Sequence, residues 1–185
     1  PRCPGTPRVM GGVAAVDGLI YVIGGYGVDL AGASHSVVDS WRFDPSESKW
    51  KRLRDLPVSV SGFGSGQIVY QGHYLILPAG YPHPTILDPD LQVHPRYGVF
   101  SQVDRGGWQQ HPLARGKSYA NHVWVYDTLT NLYGVATSLP FDDHASCLHI
   151  VGDTAYLFPG ETAGFWYDGE YFGHSPEFVA RGAIR

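Results

Sequence analysis

Leu19-Ile20-Tyr21-Val22-Ile23-Gly24-Gly25 is a short apolar run, entered through the turn pair Asp17-Gly18 and closed by two glycines. The outline returns twice. Tyr74-Leu75-Ile76-Leu77-Pro78-Ala79-Gly80 follows Gln71-Gly72, and Thr154-Ala155-Tyr156-Leu157-Phe158-Pro159-Gly160 follows Gly152-Asp153. Gly25, Gly80 and Gly160 are therefore equivalent points of an internal repeat, with a large insertion between the second and third. An apolar run directly after a two-residue turn reads as the second strand of a hairpin.

Outward from these runs, each unit reads as four strands. In the first, Val9 to Val16 precedes the turn, Val37 to Phe43 alternates as a half-buried strand should, and Lys49 to Leu53 follows the turn Asp44-Pro45-Ser46-Glu47-Ser48. In the second, Ser61 to Tyr70 is strand one and His122 to Tyr126 is strand three. Asp127 to Asn131 then leads into Leu132 to Val135. Asp44 and Trp50 stand six apart, as do Asp127 and Tyr133. The third unit is expected to run Ala145 to Val151, Thr154 to Gly160, Gly164 to Tyr167, and finally Phe178 to Ile184. The blocks are thus 9–54, 61–137 with an insertion at 81–121, and 144–185, within one domain spanning 1–185.

Composition agrees with an all-β chain. Among 185 residues there are 24 Gly, 14 Pro, 12 Tyr and 5 Trp, with 16% charged, which favours turns and aromatic strands over helices. A formal charge of −4 leaves no electrostatic footprint for nucleic acid, and no basic run suits an anionic membrane. No 18-residue apolar run is present, so no span across a bilayer is expected. The opening Pro1 fits either a removed leader or a sequence that starts mid-protein. Cys3 and Cys147 either form a disulfide or, the reading preferred here, leave Cys147 as a small apolar core residue and Cys3 as a terminal thiol.

A hydrophobic run, a double glycine, then an aromatic-Asp pair and a Trp six residues on resembles the kelch repeat, a four-stranded propeller blade. Gly24-Gly25, Phe43-Asp44-Pro45 and Trp50 match it best. The second unit has Ala79-Gly80, Tyr126-Asp127 and Tyr133; the third has Pro159-Gly160, with His174 at the Trp offset. The resemblance implies inner strands that crowd an axis, where glycine lets backbones approach, and aromatics packed between blades. Closed propellers have four to eight blades, so three imply a partial ring. Further blades from the same chain or another would complete it.

In such a meander the connections from strand two to three, and from strand four to the next blade, lie on one face. That face would carry 26–36, 54–60, 81–121, 138–143 and 161–163, leaving only tight turns opposite, so binding is expected there. The excursion from Tyr81 to Asn121 holds Arg96, Tyr97, Phe100, Arg105, Trp108, His111, Arg115, Lys117 and Tyr119, with His83 and His94. Flat aromatics beside Arg and His donors suit a polar ring-shaped ligand, or equally a loop that packs on itself.

The chain is similar to bacterial kelch propellers of the sialate mutarotase type, on the words Gly116-Lys117-Ser118-Tyr119 and Pro159-Gly160-Glu161-Thr162-Ala163-Gly164. That resemblance implies a sugar-directed activity, with Glu161 as proton carrier and Arg115 or Arg96 as carboxylate clamp. It also implies a periplasmic or secreted setting. Tyr97, Arg105, Trp108, His111, Lys117 and Tyr119 would bind the sugar. A structural role for Glu161, bonding backbone at a strand end, competes with the catalytic one. The nine histidines lack paired zinc spacing, so no metal and no cofactor is expected. Asp142-Asp143-His144 reads as a polar cluster or a turn. Two functions stay open: a carbohydrate-binding or carbohydrate-isomerising propeller, or a protein-interaction module using the same face.

Overall fold

The computed structural model describes residues 1–28, 34–63, 68–87, 120–139, 141, 143–161, 165–167, 170–172 and 178–184. These are strands and turns throughout. In the first unit, β1 (Gly12–Val16) and β2 (Leu19–Ile23) form a hairpin, and the next two residues, Gly24-Gly25, lead to a two-stranded ribbon of β3 (Tyr26–Val28) and β4 (Ser34–Ser36). The chain then returns as β5 (Ser40–Asp44) and β6 (Lys49–Arg52), giving a sheet in the order β1-β2-β5-β6. Asp17 and Gly18 both have positive φ, 48° and 76°, as the tightest hairpin turn requires.

The second unit departs from expectation at its start. The described residues of the expected strand from Ser61 to Tyr70 belong to two pairings: β7 (Val58–Ser61) ends there, and β8 (Ile68–Tyr70) pairs with the inner part of β9 (Tyr74–Leu87). β7 instead pairs with the far end of β9, which runs past Gly80. The excursion expected from Tyr81 to Asn121 is therefore strand at both ends: residues 81–87 continue β9, and β10 (Ala120–Asp127) resumes opposite Gly80. With β11 (Leu132–Ser138) the inner order is β8-β9-β10-β11.

The third unit differs more. β12 (Cys147–Val151) and β13 (Thr154–Phe158) form the inner hairpin as expected. The anticipated third strand, however, is β14 (Phe165–Tyr167), which turns away to pair with β15 (Glu170–Phe172). The strand beside β13 is β16 (Ala180–Ala183), expected as the fourth. Tyr167 is thus not equivalent to Phe43 and Tyr126, and His174 lies outside the described residues. The β14-β15 ribbon occupies the same connection as β3-β4, and the long excursion fills that connection in the second unit.

Side-chain alternation across each strand builds the core between sheets rather than within one. Leu75, Leu77, Trp124 and Tyr126 face the first sheet and pack with Val16, Tyr21, Ile23, Leu56 and Phe63. Ile76 and Val123, pointing the other way, pack with Phe141, Leu148 and Leu157 toward the third. Inner strands β1, β8 and β12 lie side by side in that sequence.

The aromatic-Asp word has a local cause. Asp44 Oδ1 accepts hydrogen bonds from the Ser46 and Glu47 amides (2.9 and 3.3 Å), and Asp127 Oδ1 from the Leu129 amide (2.9 Å), so each aspartate builds its turn. The turn sets a register placing Phe43 opposite Trp50 and Tyr126 opposite Tyr133, with ring centroids 4.9 and 4.7 Å apart. Tyr126 also meets Tyr21 of the preceding sheet at 6.1 Å. Trp50, by contrast, packs on the outward side of the first sheet, its indole N–H 3.3 Å from the Pro1 carbonyl. Both cysteines are free and half-buried, and Cys147 lies outside the core, 3.2 Å from His149 Nε2; the buried-thiol expectation is corrected, because Cys147 shares the outward face with Phe158.

Candidate functional site

The three sheets are joined at one rim by a repeated pattern. A left-handed residue precedes each strand one: Met10 (φ 57°), Gly62 (φ 71°) and Ala145 (φ 58°). The Gly62 amide donates to the Met10 carbonyl and the Ala145 amide to the Gly62 carbonyl, both at 2.8 Å, making a ladder from sheet to sheet. One residue earlier, Val9, Ser61 and His144 pair with the residue after each key glycine: Tyr26, Tyr81 and Glu161. The glycines are needed for this approach. A Cβ on Gly25 would stand 2.9 Å from the Val9 carbonyl, and one on Gly160 2.6 Å from that of Ala145.

At the third position the pair is ionisable. His144 and Glu161 exchange backbone hydrogen bonds of 2.9 and 2.8 Å, and His144 Nδ1 lies 3.9 Å from Glu161 Oε2. The imidazole is 14% exposed and the carboxylate 42%. Asp143, fully buried, braces them: its Oδ1 accepts from the Gly160 amide at 3.1 Å, and its carbonyl from the Gly80 amide at 2.9 Å. The ring rests directly on Gly62, where any Cβ would collide with it.

Of the residues singled out by sequence, Glu161 is therefore placed on the rim that carries the long connections. Its backbone bridge is the structural role foreseen for it, and its side chain is still half open to solvent. Arg96, Tyr97, Arg105, Trp108, His111, Arg115, Lys117 and Tyr119 lie outside the described residues, as do Phe100, His94 and Asp142. His144 was seen only as part of a turn cluster. Aligning Val9-Met10, Ser61-Gly62 and His144-Ala145 as equivalent pairs was the signal that could have found it. Among the described residues no group of three or more His, Cys, Asp or Glu is placed to hold a metal. A hollow of about 380 Å³ lies elsewhere, between Gly5 and Trp41, and includes none of these residues.

Residues 7–57 match the family model described as the Kelch motif. The first four-stranded unit is a kelch blade. The chain is 35% identical, over 163 residues, to "N-acetylneuraminate epimerase 1" of Escherichia coli O6:H1, a match covering 85% of this chain and 42% of that protein. Among solved structures it is similar to "Structure of YjhT", with TM-score 0.62 and 18% identity, covering 98% of this chain and 53% of that one. The chain thus spans about half the length of the proteins it matches.

Proposed function

We propose that this kelch propeller binds a carbohydrate, of sialic-acid type, on the rim of long connections, and exchanges its anomers with Glu161 as proton carrier. The observation carrying this reading is a half-exposed carboxylate held at the rim beside an imidazole. Its likeness to a protein named as an N-acetylneuraminate epimerase supports the substrate class. Anomer exchange needs only proton transfer. A base takes the proton of the anomeric hydroxyl while an acid protonates the ring oxygen. The ring C–O bond breaks, a carbonyl forms, and closure on the other face reverses each transfer. Arg96 or Arg115 would clamp the sugar carboxylate, while Tyr97, Trp108 and Tyr119 would stack on its ring and Arg105, His111 and Lys117 bond its hydroxyls.

Exchange of N-acetylneuraminate anomers, followed by NMR, tests this. Glu161→Gln is expected to abolish catalysis with binding retained, and Arg96→Ala or Arg115→Ala to weaken binding at least about tenfold. If all three leave binding and exchange unchanged, the same face serves a protein partner instead. Further blades, from this chain or another, complete the ring under either reading. The outward side of the first sheet carries Phe43 and Trp50, equivalent to the Tyr126-Tyr133 pair that packs between the first two sheets.

A further inference from the structure

The three rim bridges are equivalent in backbone and unlike in chemistry. The first pairs Val9 with Tyr26 and the second Ser61 with Tyr81; only the third brings an acid to a base. The ladder beneath them is equally selective. Two of its left-handed positions are Met10 and Ala145, which bear side chains despite the strain, and the third, Gly62, is the one covered by the His144 ring. A glycine is therefore found where an imidazole needs a seat on the neighbouring sheet, and not where backbone conformation alone would ask for it.

We propose that His144 is a positioning residue for Glu161, holding its carboxylate toward the rim and sharing charge with it during proton transfer. This rests on the anomer-exchange reading above. The Gly62 seat holds the imidazole, while the two backbone bonds to Glu161 and the tie from the Asp143 carboxylate to the Gly160 amide hold the main chain that carries both side chains. With so little of the ring exposed, His144 acts through Glu161 and not on the sugar directly. An imidazole within ion-pair reach of the carboxylate limits the positions it takes up as it engages the anomeric hydroxyl, and misplacing a reacting group by about 1 Å can cost about 100-fold in rate.

The test is anomer exchange of N-acetylneuraminate by the wild type, Glu161→Gln, His144→Ala and His144→Gln, each checked for native circular dichroism. Both His144 variants are expected to lose kcat at least about tenfold with KM nearly unchanged. Free imidazole should restore much of the rate to His144→Ala, which a purely structural role would not allow. His144→Gln keeps a polar side chain of similar reach, so the measurement survives if the alanine variant fails to fold. Should Glu161→Gln be inactive while His144→Gln keeps wild-type kcat, or should a folded His144→Ala ignore imidazole, the positioning role is wrong and the Glu161 reading stands. Should the wild type exchange no anomers, or Glu161→Gln exchange them fully, the reading itself fails and takes this role with it.

Discussion

Glycines in this chain do three different jobs, and alanine substitution separates them. At Gly134 an added Cβ meets nothing and φ is ordinary; at Gly152 the space is open but φ is +59°; at Gly160 the Cβ meets the Ala145 carbonyl at 2.6 Å. Gly134→Ala should leave stability within about 0.5 kcal/mol, Gly152→Ala should cost about 1 kcal/mol, and Gly160→Ala more than about 2 kcal/mol, read by urea unfolding. Equal losses at all three would contradict the crowding described at the rim. Asp39 gives a pH-dependent counterpart. Burial works to raise its pKa, but hydrogen bonds from Trp41 and Arg8, with the Arg8 charge, outweigh it and hold the carboxyl below its ordinary value. A depressed pKa contributes stability that is present above about pH 4 and lost as pH falls through the folded value. Arg8 and Asp39 are both mostly buried, so Arg8→Ala should cost about 2 kcal/mol at pH 7, and less as pH falls below about 4 and Asp39 takes up its proton. At this scale the sequence made Glu161 legible, because a carboxylate after a strand-ending glycine stands out. It hid His144, because the partner lies 17 positions away and is reached only through a blade-closing bridge.

Strands carry the interfaces by alternation, and their aromatic pairs hold them in register. Trp124 has no exposed surface and sits between the first and second sheets; Trp124→Ala should cost about 3–5 kcal/mol in unfolding experiments. Tyr126 donates to Asn131 Oδ1 at 2.9 Å, and that oxygen also accepts the Arg54 amide at 3.0 Å, tying the turn to the connection between sheets. Burial pushes the Tyr126 hydroxyl up to about 12, and burial likewise raises Tyr133, whose hydroxyl lies 2.8 Å from Ser40 Oγ. A raised pKa means stability fully present below about pH 10 and lost as pH climbs beyond it. Tyr126→Phe should therefore cost about 1 kcal/mol at pH 7 and flatten the alkaline loss between about pH 10 and 12, measured by denaturant titration at each pH. The inner hairpins were readable because a two-residue turn and an apolar run fix both ends of a strand. The third unit was misread at Phe165–Tyr167, since three aromatics in a row suit a ribbon as well as a sheet. What chose Ala180–Ala183 was cross-strand packing of small residues beside Ala155 and Leu157, which no local pattern announces.

For the molecule as a whole, both outermost sheets carry apolar residues facing outward. Ile20 is 36% exposed on the first, and Val151 and Phe158 are 68% and 45% exposed on the third. Surfaces of this kind mark sites of association. The isolated chain should associate as its concentration rises, and Ile20→Lys with Val151→Lys should suppress this in sedimentation velocity while changing unfolding free energy by less than about 1 kcal/mol. The propeller architecture was legible from repeat spacing and double glycines; the chemistry of the long excursion was legible only as composition, because forty residues without periodicity leave no pairing rule to follow.

The ladder through Met10, Gly62 and Ala145 has a direction: each sheet hands a proton-bearing nitrogen back to the sheet before it. At its two ends stand a donor, the Met10 amide, and an acceptor, the Ala145 carbonyl. Circulation around the axis is thereby one-way, and a body docking upside down would set nitrogen against nitrogen. Any sheet that extends the ladder past either end has to run in the same sense, so it adds head to tail and never face to face.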